Sequence, residues 1–154
     1  DHNQKIFYSP WRRTLRPLRG ILHATFTFTM GALLFQHLAL WGAGRHGSVR
    51  WKQAGLSRRD LQRACFRCLE EVESVRYSLL DLQYADEQLG WLTSAGQQLV
   101  RELAAAITHI EGSSKHFRRD VERSSFGPAL RRHIRELQRA RHIYGPIRVS
   151  ESGA

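Results

Sequence analysis

Between Arg19 and Arg45 the chain runs for 25 residues without Asp, Glu, Lys or Arg. No other feature restricts the fold as much. The stretch Ile21–Ala43 reads ILHATFTFTMGALLFQHLALWGA. At about 1.5 Å per helical residue it extends roughly 34 Å, enough for a hydrocarbon core of about 30 Å. Its interior carries His23, Thr25, Thr27, Thr29, Gln36 and His37. Helical threonines can bond back to their own backbone and tolerate lipid, whereas the histidines and Gln36 should face protein. Trp41 falls near the far end, where an indole suits the headgroup layer. Thr25–Thr29 alternates as a strand would, but over five residues only. The reading is one transmembrane helix, with a buried soluble element as the alternative.

The charges sharpen this. The chain has 154 residues and a net charge of +10, yet between Asp1 and Asp60 there is no acid. Residues 1–59 hold nine of the ten net positive charges, and the rest is nearly neutral. Cations collar the apolar run equally: Lys5, Arg12, Arg13, Arg16 and Arg19 on one side, Arg45, Arg50, Lys52, Arg58 and Arg59 on the other. The positive-inside rule is therefore tied and gives no orientation. Guanidinium groups just outside a helix end pair with anionic lipid phosphate. Arg12, Arg13, Arg16, Arg19, Arg45, Arg50 and Lys52 are the expected lipid-binding residues, cardiolipin being the natural guest in a mitochondrial inner membrane. Gly20/Ala24 and Thr27/Gly31, each four apart, could let another helix approach closely.

Beyond the apolar run the pattern is amphipathic. Ser57-Arg58-Arg59-Asp60 forms a capping box, followed by Leu61, Cys65, Cys68, Val72, Val75, Leu79 and Leu82 at alternating spacings of four and three. A turn near 90–94 separates this helix, 57–89, from a second, 94–111, with the stripe Leu99, Leu103, Ala106 and Ile110; one continuous helix is the alternative. Gly112-Ser113-Ser114 reads as a loop, 115–124 as a short helical piece, and Gly127-Pro128 as the start of a last helix striped by Leu130, Ile134, Leu137 and Tyr144. The expected organisation is a basic arm (1–19), a transmembrane helix (20–44), a basic linker (45–56), an α-helical extramembrane domain (57–145) and a tail (146–154). The fold class is all-α: a single transmembrane helix followed by a small helical hairpin or bundle.

Candidate chemistry is sparse. Cys65-Phe66-Arg67-Cys68 lies inside a helix on its apolar stripe, so the thiols read as small hydrophobes rather than a redox or zinc pair. His23 and His37, 14 residues apart, lie about 40° apart around a helix and roughly 21 Å apart along it, the spacing of axial ligands for two stacked haems. Phe35–Trp41 resembles the pigment-ligating segment of bacterial light-harvesting polypeptides over seven residues. Arg16-Pro17 with Gly20-Ile21-Leu22-His23 resembles the start of the first membrane helix in the larger anchor subunit of succinate dehydrogenase. It departs from that pattern at Gly20 and Ala24, the positions that would touch quinone. Glu70, Glu71 and Glu73 read as an ion-paired face. No phosphate loop, nucleophile elbow or metal-ligand spacing is present in the sequence, and neither an active site nor a cofactor is expected.

The functional expectation is a non-catalytic accessory subunit of an energy-converting complex of the mitochondrial inner membrane, such as a respiratory complex or an ATP synthase. It would bind neighbouring subunits and cardiolipin. The alternative is an RNA-binding protein of an organellar ribosome, with Trp11 and Trp51 stacking on bases and Arg131, Arg132, Arg135, Arg139 and Arg141 on phosphate. A haem- or pigment-ligating membrane subunit, through His23 or His37, is the third reading.

Overall fold

The computed structural model describes residues 3–44 and 46–145. A short antiparallel hairpin, β1 (Phe7–Ser9) and β2 (Thr14–Arg16), precedes five helices: α1 (Leu18–Ala43), α2 (Gly47–Gln53), α3 (Arg58–Glu87), α4 (Ser94–Arg123) and α5 (Gly127–Tyr144). The chain is mostly helical, as the periodicities imply. Arg45 and the tail 146–154 lie outside the described residues.

The hairpin occupies the place of the expected basic arm. Phe7 and Ser9 are buried, and Arg13 sits in the turn with a positive φ of 53°. The expected linker 45–56 contains α2, whose Trp51 is buried and donates from Nε1 to the Ser57 carbonyl at 2.6 Å. The corner between α1 and α2 is tight. A Cβ on Gly47 would lie 2.1 Å from the Gly42 carbonyl oxygen, so the chain can turn there only on glycine. The capping box forms as its spacing predicts: Asp60 N–H donates to Ser57 Oγ at 3.2 Å, and Ser57 N–H to the Asp60 carboxylate at 2.8 Å.

α3 is the central helix. Besides the expected stripe Cys65, Cys68, Val72, Val75, Leu79 and Leu82, it buries Leu69, Glu71, Ser74, Tyr77, Ser78, Asp81 and Ala85 on its remaining sides. α4 runs antiparallel to it, with Glu73 paired to Arg118, Arg76 to Glu111, and Asp86 accepting from Gln97. The two form a hairpin rather than one long helix. α4 does not stop at Gly112. It continues through Gly112-Ser113-Ser114 to Arg123 because the apolar register Leu103, Ile107, Ile110, Phe117, Val121 carries on beyond that point, with Ser114 filling one core position. Its core face uses Val100 and Ile107 beside Leu103 and Ile110, one position on from the expected Leu99 and Ala106. α5 begins at Gly127-Pro128 and buries Leu130, Leu137 and Ala140, with Tyr144 left exposed.

α1 is long and apolar enough to cross a membrane, by length and composition. It does not stand apart as a separate anchor. It lies antiparallel along α3: Gly42 abuts Leu61, Phe35 faces the Arg67 guanidinium, and Phe28 meets Trp11, which reaches Glu71. Arm, apolar helix and helical domain thus form one packed bundle.

Candidate functional site

The orientation of α1 is the most informative feature of this bundle. Its buried residues are Leu18, Ile21, Thr25, Thr29, Ala32, Gln36, Ala39 and Gly42, mostly small or polar. Of its other large apolar residues, Leu22, Phe28, Leu33 and Phe35 pack partly buried against the core, whereas Phe26, Met30, Leu34, Leu40 and Trp41 point outward and are 39–58% exposed. Only 28% of the most apolar 18-residue window is buried. α1 thus carries apolar side chains on both sides, whereas a surface helix of a soluble bundle keeps one apolar stripe and turns it to the core.

The inward polar groups are satisfied. Thr25 Oγ1 donates to the Ile21 carbonyl at 2.8 Å and Thr29 Oγ1 to the Thr25 carbonyl at 2.7 Å, closing both hydroxyls within the helix. Gln36 donates to Ser113 Oγ on α4. The helix can therefore present small residues to α3 at close range without leaving buried polar atoms unpaired.

Neither glycine of the stripe Gly20, Ala24, Thr27 and Gly31 abuts another helix of this chain: a Cβ on Gly20 would meet only Arg16. A Cβ on Gly31 would touch nothing within 4 Å. Gly20, Ala24 and Thr27 instead floor a cleft of about 350 Å³ between the β-hairpin and the start of α1. Arg12, Arg16 and His23 line its rim, and Trp11 and Phe28 form its back wall, stacked at 4.4 Å. No carboxylate lines it. Trp11 is held from behind, its Nε1 donating to Glu71 at 2.8 Å. Arg67 also pairs with Glu71, while burial pushes that carboxyl above the usual range against the pull of both partners.

The other expected lipid residues are dispersed. Arg13 leaves the cleft and pairs with Glu136 of α5 at 3.2 Å. Arg19 is exposed near the start of α1, and Arg50 and Lys52 are exposed on α2 at its other end. His37 is exposed far from the cleft that His23 lines, so within this chain the two do not converge. Among the described residues no group of three or more His, Cys, Asp or Glu side chains gathers as a metal site.

Cys65 and Cys68 are both buried and unbridged. Burial pushes their thiols up to about 11 and about 12, so both stay protonated at neutral pH. Trp51 is buried, and Trp11 is fixed by its stack on Phe28 and its bond to Glu71, so both indoles are tied into the fold. In α5, Arg131, Arg132, Arg135 and Arg139 are exposed. Arg141 is not: it stacks over Tyr77 at 3.8 Å, pairs with buried Asp81, and donates to the carbonyls of Tyr77 and Gly145 at 2.6 Å each. Residue type alone did not separate Arg141 from its neighbours. Its spacing from Leu130, Leu137 and Ala140 places it beside the buried stripe.

Compared with models of known families, with curated proteins and with solved structures, the chain matches none.

Proposed function

We propose that this chain is a non-catalytic accessory subunit of a membrane-embedded assembly, seated by the outward face of α1. The observation that carries the reading is the second apolar face of α1: with one side already packed on the bundle, Phe26, Met30, Leu34, Leu40 and Trp41 still point outward. Scattered exposed apolar residues are ordinary, but a row along one helix calls for an apolar environment. Acyl chains and apolar partner helices supply one. Because α3 covers the opposite side, α1 offers lipid one face rather than its whole circumference.

The role is scaffolding. The α1 face fills a groove at the hydrophobic edge of the assembly, the cations of residues 1–59 meet anionic headgroups or acidic neighbours, and the bundle buttresses the surface beside it. An energy-converting complex of the mitochondrial inner membrane is the setting we propose. It suits the basic N-terminal third, whose one acid is Asp1 and in which eight of ten cations are Arg, a residue that favours phosphate pairing. The ribosomal reading is weakened, because Trp11 and Trp51 are engaged and the acid-free segment folds as hairpin and helix instead of a threading arm.

Alkaline carbonate extraction of membranes from the native source tests this. The chain is expected in the pellet, co-purifying with a larger complex after mild detergent. Recovery in the soluble fraction would overturn the proposal.

A further inference from the structure

The cleft at the start of α1 has a lining that the scaffolding role does not use. Arg12 and Arg16 face it with neither a carboxylate nor another hydrogen-bonding partner for their guanidinium groups among the described residues. Arg13 and Arg141, by contrast, are consumed in ion pairs. His23 adds a third nitrogen-bearing side chain to the rim. The floor is Gly20, Ala24 and Thr27, and small residues there leave about 350 Å³ open. Arg16 lies directly over Gly20, where an added Cβ would sit 3.4 Å from its Nε. Two guanidinium forks without a partner among the described residues, over a small-residue floor, suit an oxyanion of tetrahedral shape.

The cleft also opens onto the exposed apolar row. At 100° per residue, Met30, Leu34 and Trp41 fall within about 40° of the His23–Thr27 line around α1. From Thr27 to Trp41 the helix advances about 21 Å, more than one leaflet of a hydrocarbon core about 30 Å thick. An anion site at one end of an apolar track matches an amphiphile: charged head in the cleft, chains along the helix. We propose that this cleft binds the phosphate of an anionic phospholipid whose acyl chains lie along Met30, Leu34 and Trp41. The assignment rests on the membrane reading above. It gives the small-residue floor a use.

The test is flotation of the full-length protein with two kinds of vesicle, phosphatidylcholine alone and phosphatidylcholine containing phosphatidylglycerol. Wild type is expected to bind both, and the anionic vesicles more tightly. A phosphate-pairing arginine contributes roughly fivefold, so Arg12→Gln/Arg16→Gln should cut that preference by about 25-fold and leave phosphatidylcholine binding unchanged. Ala24→Leu alters no charge but fills the floor, and should remove the preference as well. The arginine pair is on the surface and keeps the test open if Ala24→Leu disturbs packing. Arg132→Gln/Arg135→Gln on α5 is the charge-matched control and should retain most of the preference. An equal loss in that control, or a full preference in the cleft variants, would mean diffuse attraction and overturn the site. Release of wild type from anionic vesicles by millimolar inorganic phosphate would assign the cleft to free phosphate and overturn the lipid. Wild type binding both vesicles equally would remove the cleft proposal alone, whereas failure to bind either would remove the membrane reading beneath it.

Discussion

At the scale of single residues, the buried Asp81–Arg141 pair carries the clearest consequence. Asp81 is almost fully enclosed between α3 and α5, and desolvation pushes its carboxyl up to about 6 even though Arg141 pulls the other way. An unfolded Asp titrates near 3.8. The folded state therefore holds the proton more tightly, and this group's contribution is fully present below the unfolded value and lost as pH rises through the folded one. Denaturation in mild detergent between pH 4 and about 6.5 should show a falling contribution that Asp81→Asn abolishes. Arg141→Ala strands the carboxylate in the core and should cost about 3–5 kcal/mol at neutral pH, by the same measurement. Replacing both with apolar residues of similar volume should recover most of that loss. A double variant as unstable as the single one would show that the guanidinium contributes chiefly through its stack on Tyr77 and its bonds to the Tyr77 and Gly145 carbonyls.

At the scale of elements, α4 shows how local and tertiary signals compete. Gly112-Ser113-Ser114 is loop-forming in isolation, yet it lies mid-helix because Phe117 and Val121 continue the register of Leu103, Ile107 and Ile110. Gly112 is exposed, and a Cβ there would touch nothing within 4 Å. Gly112→Ala should raise stability by about 0.5–1 kcal/mol in a denaturant midpoint. An unchanged or lowered midpoint would show that the helix is interrupted there.

The stripe of α3, its capping box and the start of α5 at Gly127-Pro128 were legible because each is written locally, in period or in turn chemistry. The second buried side of α3 was not, because Glu71, Ser74 and Asp81 are polar residues whose burial depends on partners far along the chain: Trp11, His133 and Arg141. The same holds for the cleft. Gly20, Ala24 and Thr27 announced a close approach, but only the folded hairpin shows that the space above them stays open. The apolar run was legible as a helix, while the side it would bury was not. Apolar residues lie all round the run, so hydropathy does not single out a side; in the fold the intrahelical threonine bonds let Thr25 and Thr29 join the buried one.

At the scale of the whole molecule, the two sides of α1 should respond oppositely to charge. Ala32 is fully enclosed against the bundle, and Leu34 is 58% exposed. Ala32→Glu puts an unpaired carboxylate into the packed face and should unfold the protein or lower its stability by several kcal/mol. Leu34→Glu should leave helicity and thermal unfolding in detergent nearly unchanged while shifting the chain from carbonate pellet to supernatant. Circular dichroism and fractionation of the two variants read both effects. Equal loss of structure from both would show that the outward row is part of a folded core.

The closed hydroxyls of α1 also bear on the order of events during synthesis. α1 leaves the ribosome before α3 does, so for a time the helix has no partner for its inner side. Thr25 and Thr29 already spend their protons on carbonyls one turn back, and Thr27 does likewise onto His23 at 2.9 Å. The nascent helix thus shows its surroundings little beyond methyl groups, aromatic rings and a few imidazole and amide tips. An insertion machine reading the chain as it emerges would meet an apolar segment first. The charged helix that later claims one side of it would arrive only after that first encounter.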